Sequence, residues 1–354
     1  MRHALALAQR GRGAVEPNPL VGAVVVSDGR IVGEGWHAGY GGPHAEVVAL
    51  RDAGDAAAGA TLFVTLEPCA HQGKTPPCTD AIIAAGVAEV VFASSDPNPV
   101  AGGGANALRA AGVRVTADVE RDAARALNAM FFHTHEHGSP WFTLKLAVSV
   151  DGRIAGSAGQ RTAITGPAAR VETHRMRAAH DAVLIGIGTA LIDDPLLTVR
   201  DAPARVQPAR IILDRQARLP LSSRLVQSVG DGRVMVICGD AAPASRTAAL
   251  ERAGVSVLRT AADADGIRPG ALVDAIGQVG IGSLFVEGGS RVAGTLLEAG
   301  LIRRLHLFVA PIWLGTGGVP AFALDTPIRA GWLHSSTSRF DPDVLLTLDR
   351  AEAA

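Results

Sequence analysis

Leu66-Glu67-Pro68-Cys69-Ala70-His71-Gln72-Gly73-Lys74-Thr75-Pro76-Pro77-Cys78 is the stretch on which the reading of this chain turns. Thr61 to Leu66, which runs into it, is short and apolar, the pattern of a buried strand. Thr79 to Ala85, which leaves it, reads as a short helix closed by Gly86. The two cysteines therefore stand after a strand and at the mouth of a helix. Upstream, Gly41-Gly42-Pro43 precedes His44-Ala45-Glu46. Proline favours the first helical positions, so His44 is expected at the start of a helix that runs from Ala45 to Ala53 and stops at Gly54. One imidazole and two thiolates form a soft donor set that leaves a fourth tetrahedral position open, as catalytic zinc requires. The partial positive charge of helix N-termini also favours the thiolates.

Glu46 completes that set without joining it. A carboxylate two residues from a ligand histidine, and not itself a ligand, can carry a proton from an attacking water to a leaving amine. The His-x-Glu and Pro-Cys elements resemble the signature of zinc-dependent deaminases. One departure is the spacing of the cysteines, with eight residues between them rather than two. Cys238 has no matching partner and reads as a buried strand residue.

Outward from this core, the first 115 or so residues alternate strand and helix. Val21 to Val26 is a β-branched run ending at the Asp28-Gly29 turn, Arg30 to Glu34 reads as its return strand, and Glu89 to Ala93 as a further one. The alternation predicts an α/β unit of three layers, with helices on both faces of a sheet. Around Phe131 to Pro140 the pattern lapses into His133-Thr134-His135-Glu136-His137-Gly138-Ser139-Pro140, which reads as a linker rather than a second metal site. The expected boundary falls at about residue 138. A second α/β series starts at Trp141. Phe142 to Val148, Ala182 to Ile187, Arg210 to Leu213 and Val234 to Cys238 read as strands, and Val171 to Ala179 as a basic helix. Ser283 to Val309 carries a βαβ signature. At 354 residues, two domains are the default expectation.

Composition narrows the function classes. With 33 basic against 34 acidic residues there is no basic excess for a nucleic-acid backbone. Arg170, Arg175 and Arg177 lie among Glu172 and His174, as on a helix face. No apolar run reaches the roughly 18 residues of a bilayer span, and the Ala4 to Ala8 stretch is too short for a signal peptide. Three cysteines make no disulfide framework, so a soluble cytoplasmic protein with reduced thiols is expected.

The stretch from Leu66 to Cys78 resembles the deaminase half of the bifunctional riboflavin-biosynthesis deaminase-reductase family. So do Pro17-Asn18-Pro19-Leu20-Val21-Gly22-Ala23-Val24 and Asp96-Pro97-Asn98-Pro99 with the glycine run after it. The likeness continues through Leu144-Lys145-Leu146-Ala147-Val148-Ser149-Val150-Asp151-Gly152-Arg153, through Asp181 to Arg200, and through Val286-Glu287-Gly288-Gly289-Ser290. It implies a cytidine-deaminase-like domain at 1–138 followed by a dihydrofolate-reductase-like domain at 139–354. The first would remove the 2-amino group of a diaminopyrimidinone carrying a phosphoribosylamino arm. The second would reduce the ribosyl chain to ribityl with NADPH. Such enzymes are often dimers or tetramers, so a homo-oligomer is expected.

The resemblance also implies roles for particular residues. His44, Cys69 and Cys78 would hold zinc, with Glu46 catalytic. Val148, Ala163, Thr189, Asp193, Gly289, Ser290, Arg291, Val292, Ala293, Gly294 and Thr295 would meet the cofactor. Arg161, Arg177, Leu197, Arg200 and Glu287 would meet the substrate. Asn18 has an amide able to pair with a pyrimidine edge, or else is a turn residue before Pro19. His71 and Lys74 lie inside the cysteine insert, so both either line the pocket or meet the substrate phosphate, and Lys74 is equally read as a solvated loop lysine. Asp96 and Asn98 follow a strand, where α/β ligands bind, or cap the next turn. The roles of Lys145 and Asp151 are open. Gly186-Ile187-Gly188 does not extend to a Gly-x-Gly-x-x-Gly fingerprint; Gly288-Gly289-Ser290 at a strand-to-helix turn is the better phosphate site. Where the family commonly has tryptophan, this chain has Ala163, which leaves an aromatic contact to the cofactor missing. Three rival readings are a nucleic-acid or nucleoside deaminase with an accessory domain, a binding protein with a structural zinc, and an active deaminase whose reductase is weakened at Ala163.

Overall fold

The computed structural model describes residues 1–73, 75–328 and 331–351. It falls into two compact units, Met1–Gly138 and Ser139–Ala354.

In the first unit α1 (Arg2–Ala8) leads to a hairpin of β1 (Gly22–Ser27) and β2 (Arg30–Trp36). Asp28 and Gly29 at its turn have φ of 49° and 73°, the two positive angles that a two-residue type I′ turn needs. Then follow α2 (Ala45–Ala53), β3 (Thr61–Val64), α3 (Cys78–Ala84), β4 (Glu89–Phe92), α4 (Gly104–Ala110), β5 (Arg114–Thr116), α5 (Arg121–Leu127) and α6 (Ala129–His137). The five-stranded sheet has the order β2-β1-β3-β4-β5. Its hairpin half is antiparallel, and β3, β4 and β5 run parallel. Leu62, Val64, Val90 and Phe92 of the sheet pack with Ile82 of α3 and Leu108 of α4 in one buried cluster. Each such side chain contributes about 1.5–3 kcal/mol.

One contact fixes where the site begins. A Cβ at Gly35 of β2 would lie 2.4 Å from the carbonyl oxygen of Ala45, the first residue of α2. Glycine alone permits that approach, and it pins the helix start that carries His44 and Glu46.

The stretch expected as a linker is instead largely helical: α6 spans Ala129–His137 and ends at Gly138, at φ 62°. Gly138 and Pro140 are terminators lying after the helix, not signs of a loop before it. Phe132 and His133 are its buried side chains.

The second unit comprises β6 (Trp141–Ser149), β7 (Arg153–Ala155), α7 (Pro167–Ala178), β8 (Ala182–Gly186), α8 (Ile187–Asp193), β9 (Ala209–Leu213), α9 (Arg224–Gln227), β10 (Val234–Gly239) and α10 (Ala244–Arg252). It continues with β11 (Ser256–Thr260), α11 (Pro269–Gln278), β12 (Ser283–Val286), α12 (Ser290–Glu298), β13 (Ile302–Ala310), β14 (Val319–Pro320), β15 (Trp332–Phe340) and β16 (Asp343–Arg350). The nine-stranded sheet has the order β11-β10-β9-β8-β12-β6-β13-β16-β15. Pairing is parallel from β11 through to β13 and antiparallel for the last two strands. The parallel centre is covered on both faces. Every residue of β8 and β10 is buried accordingly, Cys238 included. The βαβ unit from Ser283 is present, but β6 lies between its two strands, so α12 crosses over one neighbour. Both units are thus α/β, as the sequence implied. No helix among the described residues is long and apolar enough to cross a membrane.

Candidate active sites

In the first unit, His44 is the N-cap of α2 and Cys78 the first residue of α3, and Cys69 follows β3. The three ligand atoms lie within 4.8 Å of one another. His44 Nδ1 is 3.1 Å from Cys78 Sγ and 3.6 Å from Cys69 Sγ, and the Cys78 backbone N–H donates to Cys69 Sγ at 3.4 Å. The other ring nitrogen, Nε2, is 3.4 Å from Thr75 Oγ1, so the hydroxyl orients the ring with Nδ1 towards the sulfurs. The Cys78 thiol and His44 hold Cys69 down to about 4, whereas the neighbouring Cys69 pushes Cys78 up. A soft N,S,S set of this closeness fits tetrahedral zinc and leaves a fourth position for a reactant.

Glu46, in the first turn of α2, is 4 % exposed and its carboxyl is raised by burial, with the His44 charge opposing. It lines a cavity of about 430 Å³ together with His44, Cys69, Asn18, Asp96 and Asn98. The Asn18 amide donates to His37 Nε2 at 3.4 Å, while His37 Nδ1–H donates to the Pro43 carbonyl at 3.1 Å. His71 also lines the cavity, and its Nδ1 is buried with no partner among the described residues. Asp96 accepts from the Asn98 N–H at 2.9 Å, so it caps its own turn while facing the cavity. Lys74 lies outside the described residues. The cavity also takes in His37, Tyr40, Phe131 and His135, which the sequence reading did not single out. The first two follow a strand end, a position that marks ligand contacts in α/β units. The others belong to the helix mistaken for a linker.

In the second unit a cavity of about 690 Å³ opens beyond the ends of β8, β9 and β12. Of the residues expected at the cofactor, Thr189, Asp193, Gly289, Ser290, Arg291, Val292 and Thr295 line it. Four do not. Val148 is buried in β6, and Ala293 and Gly294 face the core side of α12. Ala163 is exposed and off the cavity. Arg161, expected at the substrate, lines this cavity instead, where its charge acts on Asp193. Arg215, Gln216 and Arg218, just after β9, are further lining residues; the strand-end rule could have found them. Gly289 is the N-cap of α12, and Ser290 Oγ is buried without a partner among the described residues. An unpartnered hydroxyl at a glycine-capped helix start fits a phosphate-bearing cofactor.

The remaining expected substrate residues gather elsewhere in the unit. Arg177 of α7 donates to both carboxylate oxygens of Glu287, at 2.5 and 3.1 Å, and to the Thr198 carbonyl at 3.1 Å. Arg200 donates to Thr198 Oγ1 at 2.7 Å. Leu197 is buried at φ 58°, an angle rare for leucine. Lys145 on β6 is lowered by burial, with Glu287 opposing. Burial alone would raise Glu287, but Arg177 and then Lys145 outweigh it and the carboxyl sits low. Arg177 and Lys145 thus set two cations against one carboxylate, which leaves a surplus of positive charge. Asp151, by contrast, accepts from Ser149 Oγ and from the N–H groups of Leu314 and Gly315, and so ties the end of β6 to the 312–315 segment.

Comparison with known proteins gives these sites their context. Residues 1–94 match the family model described as the cytidine and deoxycytidylate deaminase zinc-binding region, and residues 140–346 match the RibD C-terminal domain. The riboflavin biosynthesis protein RibD of Escherichia coli K12 is 43 % identical over 332 residues, covering 89 % of this chain and 88 % of that one. The solved structure of Acinetobacter baumannii RibD superposes with a TM-score of 0.86 at 37 % identity, covering 99 % and 98 %. The diaminohydroxyphosphoribosylaminopyrimidine deaminase/5-amino-6-(5-phosphoribosylamino)uracil reductase of Thermotoga maritima gives 0.84 at 35 %, covering 99 % and 97 %. The chain belongs to the RibD family of riboflavin biosynthesis proteins and is a bifunctional enzyme, a zinc-dependent deaminase joined to an NADPH-dependent reductase.

Proposed function

We propose that the first unit deaminates 2,5-diamino-6-(5-phosphoribosylamino)pyrimidin-4(3H)-one and that the second reduces the ribosyl chain of the product to ribityl. The observation that carries the reading is the closeness of His44, Cys69 and Cys78, with the buried Glu46 lining the same cavity as His44 and Cys69. Zinc held by those three residues supplies the Lewis acidity that makes water nucleophilic near neutral pH. Glu46 takes a proton from the attacking water and returns it to the departing amine. Asn18, oriented by His37, meets the pyrimidine edge.

In the second unit NADPH supplies the hydride. Gly289, Ser290 and the first N–H groups of α12 would hold its phosphates, and Thr189, Asp193, Arg291, Val292 and Thr295, which line the cavity, would flank it. Arg177, Arg200, Leu197 and Glu287 hold the phosphorylated substrate, whose anion the local excess of cations favours. The exposed position of Ala163 leaves the cavity wall to other residues.

We further infer a cytoplasmic homo-oligomer, dimer or tetramer, acting on small molecules without a nucleic-acid or membrane partner. Support for assembly comes from β15, the terminal strand of its sheet, where Leu333 is 61 % exposed. Light scattering tests it: a monomer at working concentration overturns that part.

The activity test uses zinc-loaded protein and the diaminopyrimidinone substrate. Ammonia release is followed first, then NADPH oxidation, with Glu46→Gln as control. Both signals from the wild type and neither from the variant are expected. No ammonia from the zinc-loaded wild type overturns the reading.

A further inference from the structure

We propose that α6 provides the deaminase cavity with its contact to the substrate's phosphoribosyl arm, His135 donating a ring N–H to the phosphate and Phe131 walling the sugar. The inference rests on the deaminase reading above.

The cavity has a buried end and an open one. Glu46 and Cys69, which line it, are 4 % and 7 % exposed, so the reacting carbon of the pyrimidine goes to that floor. The arm, attached elsewhere on the ring, must run towards solvent. Phe131 and His135 line the same cavity, and His135 is exposed while Phe131 is half-buried. They are one helical turn apart, and their rings pack at 4.6 Å. That contact holds the imidazole in place against the cavity wall.

A phosphate needs a donor there, because Glu46, Glu67 and Asp96 are all carboxylates of the cavity lining. The imidazoles of the lining are His37, His44, His71 and His135. His44 is committed to the metal set. His37 spends Nδ1–H on the Pro43 carbonyl and receives the Asn18 amide on Nε2. His71 keeps its Nδ1 buried from solvent, away from the open end that the arm must reach. His135 is the one on a separate element and is open to solvent, and its charge is felt by Asp96. The other groups of α6 do not compete. Glu136 is held by both guanidinium nitrogens of Arg125 on α5, at 2.8 and 2.7 Å, and His133 packs its ring on His137 at 4.7 Å. Of the histidines of α6, His135 is the one that lines the cavity.

The test is a KM-against-kcat split in His135→Ala on the full chain. KM for ammonia release is expected to rise roughly tenfold or more, the worth of a hydrogen bond to a charged group, with kcat within about twofold. KM for the dephosphorylated substrate should not move, and inhibition by ribose 5-phosphate should weaken in step with the phosphorylated substrate. His135→Arg should restore a low KM. NADPH oxidation with the deaminated intermediate supplied directly, and zinc content, report on folding of the same molecules. An unmoved KM, or an equal rise for the dephosphorylated substrate, overturns the inference alone. No ammonia from the wild type overturns the deaminase reading and this with it.

Discussion

Replacing Gly104 by alanine should disable the deaminase without touching any of its zinc or catalytic residues. Gly104 begins α4, and a Cβ there would stand 1.7 Å from the Pro68 carbonyl oxygen, next to Cys69. Cβ contacts under 3.0 Å essentially do not occur, so the two backbones must part by about 1.3 Å. The same interface carries the Ala105 N–H to Glu67 Oε1 bond of 2.9 Å, which that movement stretches beyond hydrogen-bonding range. Overpacking costs about 1–3 kcal/mol and a lost bond to a charged acceptor about 1.5–3 kcal/mol. A domain is stable by about 5–15 kcal/mol, so the unit can remain folded by shifting the Glu67-Pro68-Cys69 segment instead. A displacement near 1 Å at a reacting centre costs about a hundredfold in rate. The assay is ammonia release together with zinc retention against a chelator, and NADPH oxidation serves as the internal control. Gly103→Ala is the comparison: Gly103 has φ 93° and nothing near its missing Cβ, so alanine there costs about 1–2 kcal/mol of backbone strain with no push on Pro68. A Gly104→Ala protein with wild-type ammonia release and zinc retention would refute the reasoning.

Chelation should abolish ammonia release yet leave NADPH oxidation intact when the deaminated intermediate is supplied; loss of both would show that the metal serves more than the first unit. Arg177→Met should destabilise the second unit by about 3–5 kcal/mol, because it leaves the carboxylate of Glu287 buried without its main partner, the two side chains being only 12 % and 13 % exposed; thermal melts measure it. Asp151 is held at about 2 by Ser149 and the Leu314 and Gly315 N–H groups. Its folded value lies below its unfolded one, so its contribution is present above about pH 4 and is lost as pH falls towards 2. Asp151→Asn should remove that part of the acid destabilisation, and an unchanged acid profile would count against the clamp.

What the sequence made legible follows from how local each signal is. His44, Glu46, Cys69 and Cys78 sit at helix starts and a strand end, and glycine, proline and β-branched runs within ten residues announce those boundaries. The hairpin turn at Asp28-Gly29 is legible for the same reason: both residues must hold positive φ. The strands of the parallel centre are legible as apolar runs, but their order is not. That β6 intervenes between β12 and β13 depends on pairings far apart in sequence.

The site walls were hidden for a related reason. Lining a cavity is a property of packing, and α6 shows how a local signal can point the wrong way: Gly138 and Pro140 mark the end of a helix whose Phe131 and His135 matter through where the helix docks. Arginines illustrate the same limit. By type alone Arg161, Arg177 and Arg200 are interchangeable anion binders. The fold sends Arg161 to the cavity beside Asp193 and the other two to Thr198, where Arg177 also takes Glu287. Lys145 and Asp151 lie six residues apart on and just beyond one strand, and their surroundings separate them. Lys145 is half-buried beside charged groups of the expected substrate set, whereas Asp151 is spent on backbone N–H groups and a hydroxyl. A carboxylate so fully used by its own chain has little left to offer a reactant, so Lys145, not Asp151, is the group on that strand with chemistry to spare.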